Sequence, residues 1–479
     1  MPNLNRRHFL KTLGLFSAGF ILPSFVSNCA RIKQKPNIVF ILIDDLGWSD
    51  LGCYGNQYHE TPNIDRLARE GMRFTDAYAA CPVCSPTRAS IIAGQYPARL
   101  GITDFIRGHW RPYEKLRVPI NRTQYLPLET VTFAEALKSA GYVSGAFGKW
   151  HLGGEKYHPD KQGFDKSVVS YGWGHFFPTV KTTPPLDVEE GAYLADVLTD
   201  QAEKFMEENK DRPFCLYLSH FAVHIPLEAR DELIEKYRKK AGEPGRVNNP
   251  IYAAMVEHVD RSVGRILKKL DELNLTQNTV VFFFSDNGGL YKRFDGKGVA
   301  VTTNSPLRGE KGTLYEGGIR EPLIVRWPGV IKPGCVCRTP VISVDFYPTF
   351  LEIAGVEGDP DHILDGVSLV PLLKQTGELQ RESIFWHYPH YHHSTPAGAI
   401  RKGDWKLIEF FEDGRLELYN LKNDIGENQN LAEKMPEKAR ELQKELADWR
   451  KSVNAAMPVP NPDFDPARRY EWGKHPDSR

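Results

Sequence analysis

Ile38-Val39-Phe40-Ile41-Leu42-Ile43 runs into Asp44-Asp45, and Val280-Val281-Phe282-Phe283-Phe284-Ser285 runs into Asp286-Asn287-Gly288-Gly289. Short, near-continuous apolar runs of this kind mark strands buried on both faces. The strands so read are Asn37 to Ile43, Pro213 to Ser219, Thr279 to Ser285 and Leu323 to Trp327. Helical patterns lie between them at Thr61 to Glu70, Val131 to Ala140, Tyr193 to Asn209 and Ile251 to Leu273. The last shows apolar spacing through Met255, Val259, Val263, Ile266, Leu267 and Leu270. Strands alternating with helices predict an α/β fold with a large, mostly parallel sheet covered by helices.

After Asp365-Gly366 to Leu373 the pattern changes. Ser383 to Trp386, Ala399 to Ile400, Trp405 to Phe411 and Leu416 to Tyr419 read as short strands joined by turns such as Lys402-Gly403-Asp404 and Glu412-Asp413-Gly414-Arg415. A helix from about Pro436 to Ser452 follows, then a Pro-rich tail. A smaller C-terminal antiparallel sheet with one helix is expected, appended to the large domain.

The 479 residues carry 61 basic and 61 acidic side chains, a net charge of zero. No nucleic-acid footprint or general basic field is present, so any anionic substrate must be held by local groups. The first thirty residues stand apart. Asn5-Arg6-Arg7-His8-Phe9-Leu10-Lys11 resembles a twin-arginine export signal, followed by an apolar stretch from Thr12 to Ser27 that is too short and too interrupted for a membrane span. Cys29, after Val26-Ser27-Asn28, is either a lipid-anchor site at an imperfect lipobox or lies near a simple cleavage site. An exported, periplasmic protein is therefore expected. The seven cysteines form no disulfide framework: without Cys29 and Cys84 there remain Cys53, Cys81, Cys215, Cys335 and Cys337, and Cys215 sits in an apolar strand.

In an open parallel sheet the C-terminal strand ends share one edge, where ligands bind. Asp44, Asp45, Asp286 and Asn287 should therefore converge, and three carboxylates with one amide oxygen suit a hard cation such as calcium. Each pair by itself would serve equally as a turn or helix cap. Gly148-Lys149-Trp150-His151-Leu152-Gly153, His224-Ile225-Pro226 and Arg308-Gly309-Glu310-Lys311-Gly312 follow other strands. Lys149, His151, His224 and Lys311 are thus placed on the same edge, where positive groups beside a metal suit a tetrahedral oxyanion ester.

Cys84-Ser85-Pro86-Thr87-Arg88 adds a thiol to this edge. Ser85 reads as an N-cap, Pro86 as the first helical residue and Gly94 as the stop, which leaves Cys84 just outside a helix N-terminus that favours an anion. Arg88, one turn in, can grip an oxyanion or a neighbouring acid. Cys81 and Cys84 also form a C-x-x-C, whose other readings are a redox pair, a zinc half-site or simple buried hydrophobes.

Cys84-Ser85-Pro86-Thr87-Arg88 resembles the maturation signature of the type I sulfatases of the alkaline phosphatase superfamily, and the chain from about Pro36 to Ala432 carries the family's other motifs in order. The resemblance implies an alkaline-phosphatase-like fold, with an export signal at 1–30, a catalytic domain at 36–375 and a small C-terminal subdomain at 383–479. It implies that a maturation enzyme converts Cys84 to formylglycine, which binds Ca2+ together with Asp44, Asp45, Asp286 and Asn287. Arg88 and Lys149 would stabilise the aldehyde hydrate, while His224, Lys149 and Lys311 hold the sulfate. One hydroxyl of the hydrate, assisted by Asp286, would attack sulfur; the leaving oxygen would take a proton from His224 or Lys311; the second hydroxyl, deprotonated with help from His151, would expel sulfate. A serine that contacts the nucleophile region in some relatives has no clear equivalent between Ser167 and Trp173.

Gly101-Ile102-Thr103-Asp104, Asn121 to Pro127 and His387-Tyr388-Pro389-His390-Tyr391-His392-His393 look like segments of bacterial carbohydrate sulfatases. The implied substrate is a sulfated oligo- or polysaccharide, with galactose or N-acetylgalactosamine as the favoured sugar. The histidine run reads either as a surface or metal-binding loop or as a reader of sugar hydroxyls. Two alternatives remain open: a formylglycine phosphonate or phosphodiester hydrolase, and a non-catalytic exported glycan-binding protein.

Overall fold

The computed structural model describes residues 35–477. The export segment and Cys29 lie outside them. A nine-strand path forms the main sheet: β1 (Asn37–Ile43), β2 (Met72–Tyr78), β3 (Val143–Lys149), β4 (Lys166–Gly172), β5 (Val180–Thr183), β6 (Phe214–Ser219), β7 (Thr279–Ser285), β8 (Arg320–Arg326) and β9 (Cys335–Cys337). Their order is β9-β2-β8-β7-β1-β6-β3-β4-β5, with Val341–Ile342 added beside β2. The five central strands β7-β1-β6-β3-β4 are all parallel.

β1 explains why its sequence lacks polar alternation. Val39, Ile41 and Ile43 enter one core, while Ile38, Phe40 and Leu42 enter another on the opposite face. Helices Leu194–Glu208 and Pro250–Glu272 cover the first face, and Cys84–Ala93, Phe133–Lys138 and Phe346–Ala354 the second. The eighth strand begins at Arg320 rather than Leu323 and runs antiparallel to both neighbours. Its early residues, Arg320 and Glu321, are charged and buried, so their polarity hides the strand in the sequence.

Strands β10 (Ser383–Tyr388), β11 (Ala397–Lys402), β12 (Trp405–Phe410) and β13 (Leu416–Asn420) form an antiparallel meander. Helix Pro436–Ser452 covers one face through Ala439, Leu442 and Leu446. Trp386, Tyr388 and Ile408 on the other face pack against Tyr78 at the end of β2 and against Cys81 and Val83 beyond it. The segment after the helix leaves the small sheet, and Val459–Pro460 pairs with Leu116–Arg117. Among the described residues, no helix is long and apolar enough to cross a membrane.

A buried ion network joins the two sheets. Lys406 on β12 is fully buried and donates to Glu316, 2.8 Å away, and lies 2.8 Å from Glu427. Glu316 also accepts from Tyr78 and Arg320. Lys406→Met leaves two buried carboxylates short of a counter-charge, so a loss of about 3–5 kcal/mol in unfolding free energy is expected, read by urea denaturation. Unchanged stability would show that the network contributes nothing.

Candidate active site

The parallel pairing carries the ends of β1, β3, β6 and β7 to one edge. The Asp286 N–H donates to Ile43 O at 3.0 Å, and the Val223 N–H donates to Asp44 O at 2.8 Å, tying the loops together as the strands end. Two residues there adopt left-handed backbone without being glycine: Asp45 at φ 61° and His151 at φ 58°. Such backbone persists where the surroundings enforce it. Gly148, at φ 116°, is needed for a second reason, since a Cβ there would come within 1.9 Å of Ser219 O.

Cys84 is the first residue of its helix, and Val83 is the N-cap. Ser85 does not cap; its Oγ accepts from the Ile106 N–H at 3.1 Å. The C-x-x-C reading also fails geometrically. Cys81 is buried with its thiol toward Thr103 O at 3.7 Å, whereas Cys84 Sγ lies 3.2 Å from His151 Nδ1. His151 Nε2 is 2.7 Å from Ile106 O, which assigns the ring proton to Nε2 and leaves Nδ1 as an acceptor facing residue 84. Burial, helped by Lys149, pushes His151 down to about 3, so the ring is neutral.

Arg88 reaches the acids rather than open space. It is fully buried, donating from Nε to Asp286 Oδ2 at 2.8 Å, and from Nη1 to Lys149 O at 2.8 Å and Ser219 Oγ at 2.6 Å. Lys149 Nζ donates to Asp44 Oδ2 at 2.5 Å, and Lys311 Nζ to both Asp45 oxygens at 2.6 and 2.8 Å. His224 Nδ1 faces Ile225 O at 2.6 Å and its Nε2 lies 3.7 Å from Asp45 Oδ2. Cations and acids therefore alternate across the floor, on the one edge where the sequence reading placed both.

Burial raises Asp44, but Lys149, with His224, Arg88 and Lys311, outweighs it and holds the carboxyl below the usual range. Burial and neighbouring Asp44 push Asp286 up. Burial would lower Lys311, yet Asp45 prevails and keeps it a firmly protonated ammonium. Burial and Lys311 push His224 down to about 3, so it is neutral. Asp44 Oδ1 and Asn287 Oδ1 are buried without a hydrogen-bond partner. One ligand atom from each of Asp44, Asp45 and His224 lies within 4.8 Å of the others. Unsatisfied oxygens beside mutually repelling carboxylates form a donor set that fits a hard divalent cation.

Above this floor opens a cavity of about 820 Å³. Cys84, Lys149, His151, His224 and Lys311 line its base, and Phe105, His109, Tyr171, Trp173, Phe294 and His392 are among its wall residues. Ser170 also lines it. The histidine run is not a surface loop. His387, His390 and His392 are buried; His387 meets Ala456 O and His390 meets Thr103, while His392 and His393 reach the cavity. His393 Nδ1 lies 2.8 Å from Lys311 O, and a Cβ on Gly312, itself at φ 81°, would overlap His392. The small sheet thus holds the Lys311 loop in place.

Sequence reading missed His109, Phe105, Phe294 and Trp173. They sit in loops without periodicity; the flanking glycines of Gly172-Trp173-Gly174, which put an indole on a tight turn, were the available signal.

Asp104 supports the wall from behind, accepting from the N–H groups of Phe105 at 2.9 Å and His109 at 3.2 Å. Burial, against those hydrogen bonds, pushes its carboxyl up to about 7 from 3.8. Between these values the native state holds a proton that the unfolded chain has released, so this group makes stability fall as pH rises through that window. Asp104→Asn is expected to flatten this slope in urea melts, apart from a constant offset; an unchanged slope would place the titration elsewhere.

The family profile described as Sulfatase matches residues 36–356, and one described as N-sulphoglucosamine sulphohydrolase, C-terminal, matches residues 309–452. A Formosa agariphila protein described as Sulfatase is 34% identical over 91% of this chain and 94% of its own length. Human N-acetylgalactosamine-6-sulfatase is 35% identical, covering 80% of this chain and 74% of its own. Human arylsulfatase A is 34% identical over 84% of each. Among solved structures, Ps i-CgsB in complex with k-i-k-neocarrahexaose superposes with a TM-score of 0.75 at 30% identity, covering 87% of this chain and 93% of that one.

Proposed function

The chain belongs to the sulfatase family and is a sulfuric ester hydrolase, and from this we propose that it removes sulfate from a sulfated carbohydrate, with residue 84 as nucleophile once matured to formylglycine. The observation that carries the reading is Cys84 at a helix start on the cavity floor, 3.2 Å from a neutral histidine acceptor and lined up with Lys149, His224 and Lys311. A galactose or N-acetylgalactosamine type sugar is favoured, supported by the relative named N-acetylgalactosamine-6-sulfatase and by the neocarrahexaose complex. Export by the twin-arginine segment, with or without lipid at Cys29, belongs to the same reading.

Asp44, Asp45, Asp286 and Asn287 would hold calcium with residue 84, and the ion would neutralise the acids, leave the ammonium charges to the sulfate and lower the pKa of an attacking hydroxyl. An aldehyde hydrate at residue 84 supplies two hydroxyls, one for attack on sulfur and one for release of sulfate. His151 Nδ1, neutral and aimed at residue 84, accepts the proton of the hydroxyl that expels sulfate. Lys149 and Lys311 bind the sulfate oxygens. Arg88 holds Asp286 in place from below. Lys311, which keeps its proton, is a better donor to the leaving sugar oxygen than His224, whose Nε2 lacks one.

The test is co-expression with a formylglycine-generating enzyme, peptide mass spectrometry across residue 84, and assay against defined sulfated saccharides beside matched phosphate esters. Conversion of the thiol with turnover of sulfate esters only is expected. An unmodified thiol with saccharide binding but no hydrolysis would replace the proposal with a binding role.

A further inference from the structure

One wall of the cavity is assembled from segments far apart in the chain. His109 is its hub: its ring lies 3.9 Å from Phe294, 4.6 Å from Phe105 and 4.8 Å from His392, the last pair stacked at 28°. All four residues line the cavity. Trp472 does not line it, but its indole lies 4.8 Å from His109 and 4.7 Å from Phe294, and the Arg111 guanidinium sits over it at 4.0 Å. None of these partners belongs to the sulfate-binding floor.

The segment that brings Trp472 there is fastened along the stretch of chain that follows His109. Val459–Pro460 pairs with Leu116–Arg117, the Asn461 N–H donates to Lys115 O at 2.9 Å, and Arg469 pairs with the buried Glu114 at 3.0 Å. Next to the indole, the Gly473 N–H donates to Trp110 O at 2.9 Å, and further on Gln124 donates to Asp477 at 2.7 Å. This stretch buries little apolar surface of its own, so its pairing is not explained by core formation. Its one large apolar side chain between Arg469 and Asp477 that meets the cavity wall is Trp472.

We propose that Trp472 is a specificity-determining positioning residue: by setting the rings of His109 and Phe294 it shapes the wall against which the sugar, rather than the sulfate, rests. Aromatic faces are well suited to the apolar faces of sugar rings, and a misplacement of about 1 Å in a positioning group can cost about 100-fold in rate. Removing the indole should therefore act on large substrates and spare small ones. The inference rests on the reading of the substrate as a sulfated saccharide.

The experiment compares matured wild type with Trp472→Ala and Trp472→Phe on nitrophenyl sulfate and on the best sulfated saccharide of the panel. For Trp472→Ala, kcat/KM on the saccharide is expected to fall about tenfold or more, chiefly through KM, while nitrophenyl sulfate stays within about twofold. Trp472→Phe, which keeps a ring against His109 and under Arg111, should recover most of the saccharide activity. Equal losses on both substrates, or no loss on either, would overturn the proposal. A wild type that cleaves nitrophenyl sulfate but neither cleaves nor binds any saccharide would remove the substrate reading and this inference with it, a result distinct from the first. Should Trp472→Ala fail to fold, Trp472→Leu, which keeps bulk without a ring, carries the same comparison.

Discussion

Cys84→Ser is expected to abolish turnover by at least roughly 10⁴-fold while retaining a single covalent capture of sulfate. A serine hydroxyl at residue 84 would occupy the position now 3.2 Å from His151 Nδ1, above Lys149 and Lys311, so binding and attack remain available to it. It has no second hydroxyl, however, and His151 then has no proton to remove that would expel the sulfate. The matured chain has both. Intact-protein mass spectrometry after incubation with substrate should show the Ser variant gaining the mass of one SO3 group, while Cys84→Ala gains nothing. Sustained turnover by the Ser variant would end the formylglycine reading, because one hydroxyl would then suffice.

Lys311→Ala should produce the second largest effect, and the effect should depend on the leaving group. Lys311 Nζ presents N–H donors at the floor, whereas His224 directs Nδ1 to Ile225 O, which leaves its Nε2 without a proton. On the proposed mechanism Lys311 would thus carry the proton to the departing oxygen. A saccharide leaves as a poor alkoxide and needs that proton, so kcat/KM on a sulfated sugar is expected to drop by about 10²–10⁴-fold. Nitrophenolate leaves without help, and its sulfate should lose far less. His224→Ala should show a flatter loss across both substrates, as a group that contacts the anion without donating. A leaving-group-dependent loss in His224→Ala, with an even loss in Lys311→Ala, would exchange the two roles.

These predictions draw on the sequence and on the tertiary structure to different degrees. Strands β1 and β7 were legible to the residue, since an apolar run with no polar alternation has few alternatives once helices flank it. The first residues of β8 were not, because Arg320 and Glu321 look like a loop until Glu316 and the neighbouring strands account for their burial. Helix Pro436–Ser452 was read to its bounds. The start of the Cys84 helix was read two residues late, because Ser85 has the chemistry of a cap but spends its oxygen on Ile106.

The sequence by itself determined the central strands β1, β6 and β7, the acid pairs at the ends of β1 and β7 and the Cys84 to Arg88 run, because continuous apolar runs mark buried strands and parallel topology sends strand C-termini to one edge. Only the tertiary structure decided which partner each group takes: His151 for Cys84, Asp44 for Lys149, Asp45 for Lys311 and Asp286 for Arg88. It alone also decided that His109, Phe294, His392 and Trp472 form one wall. The reason is physical. A strand or helix announces itself through a repeat that neighbouring residues share, whereas a contact between distant loops is set by distance and burial, which no local repeat encodes.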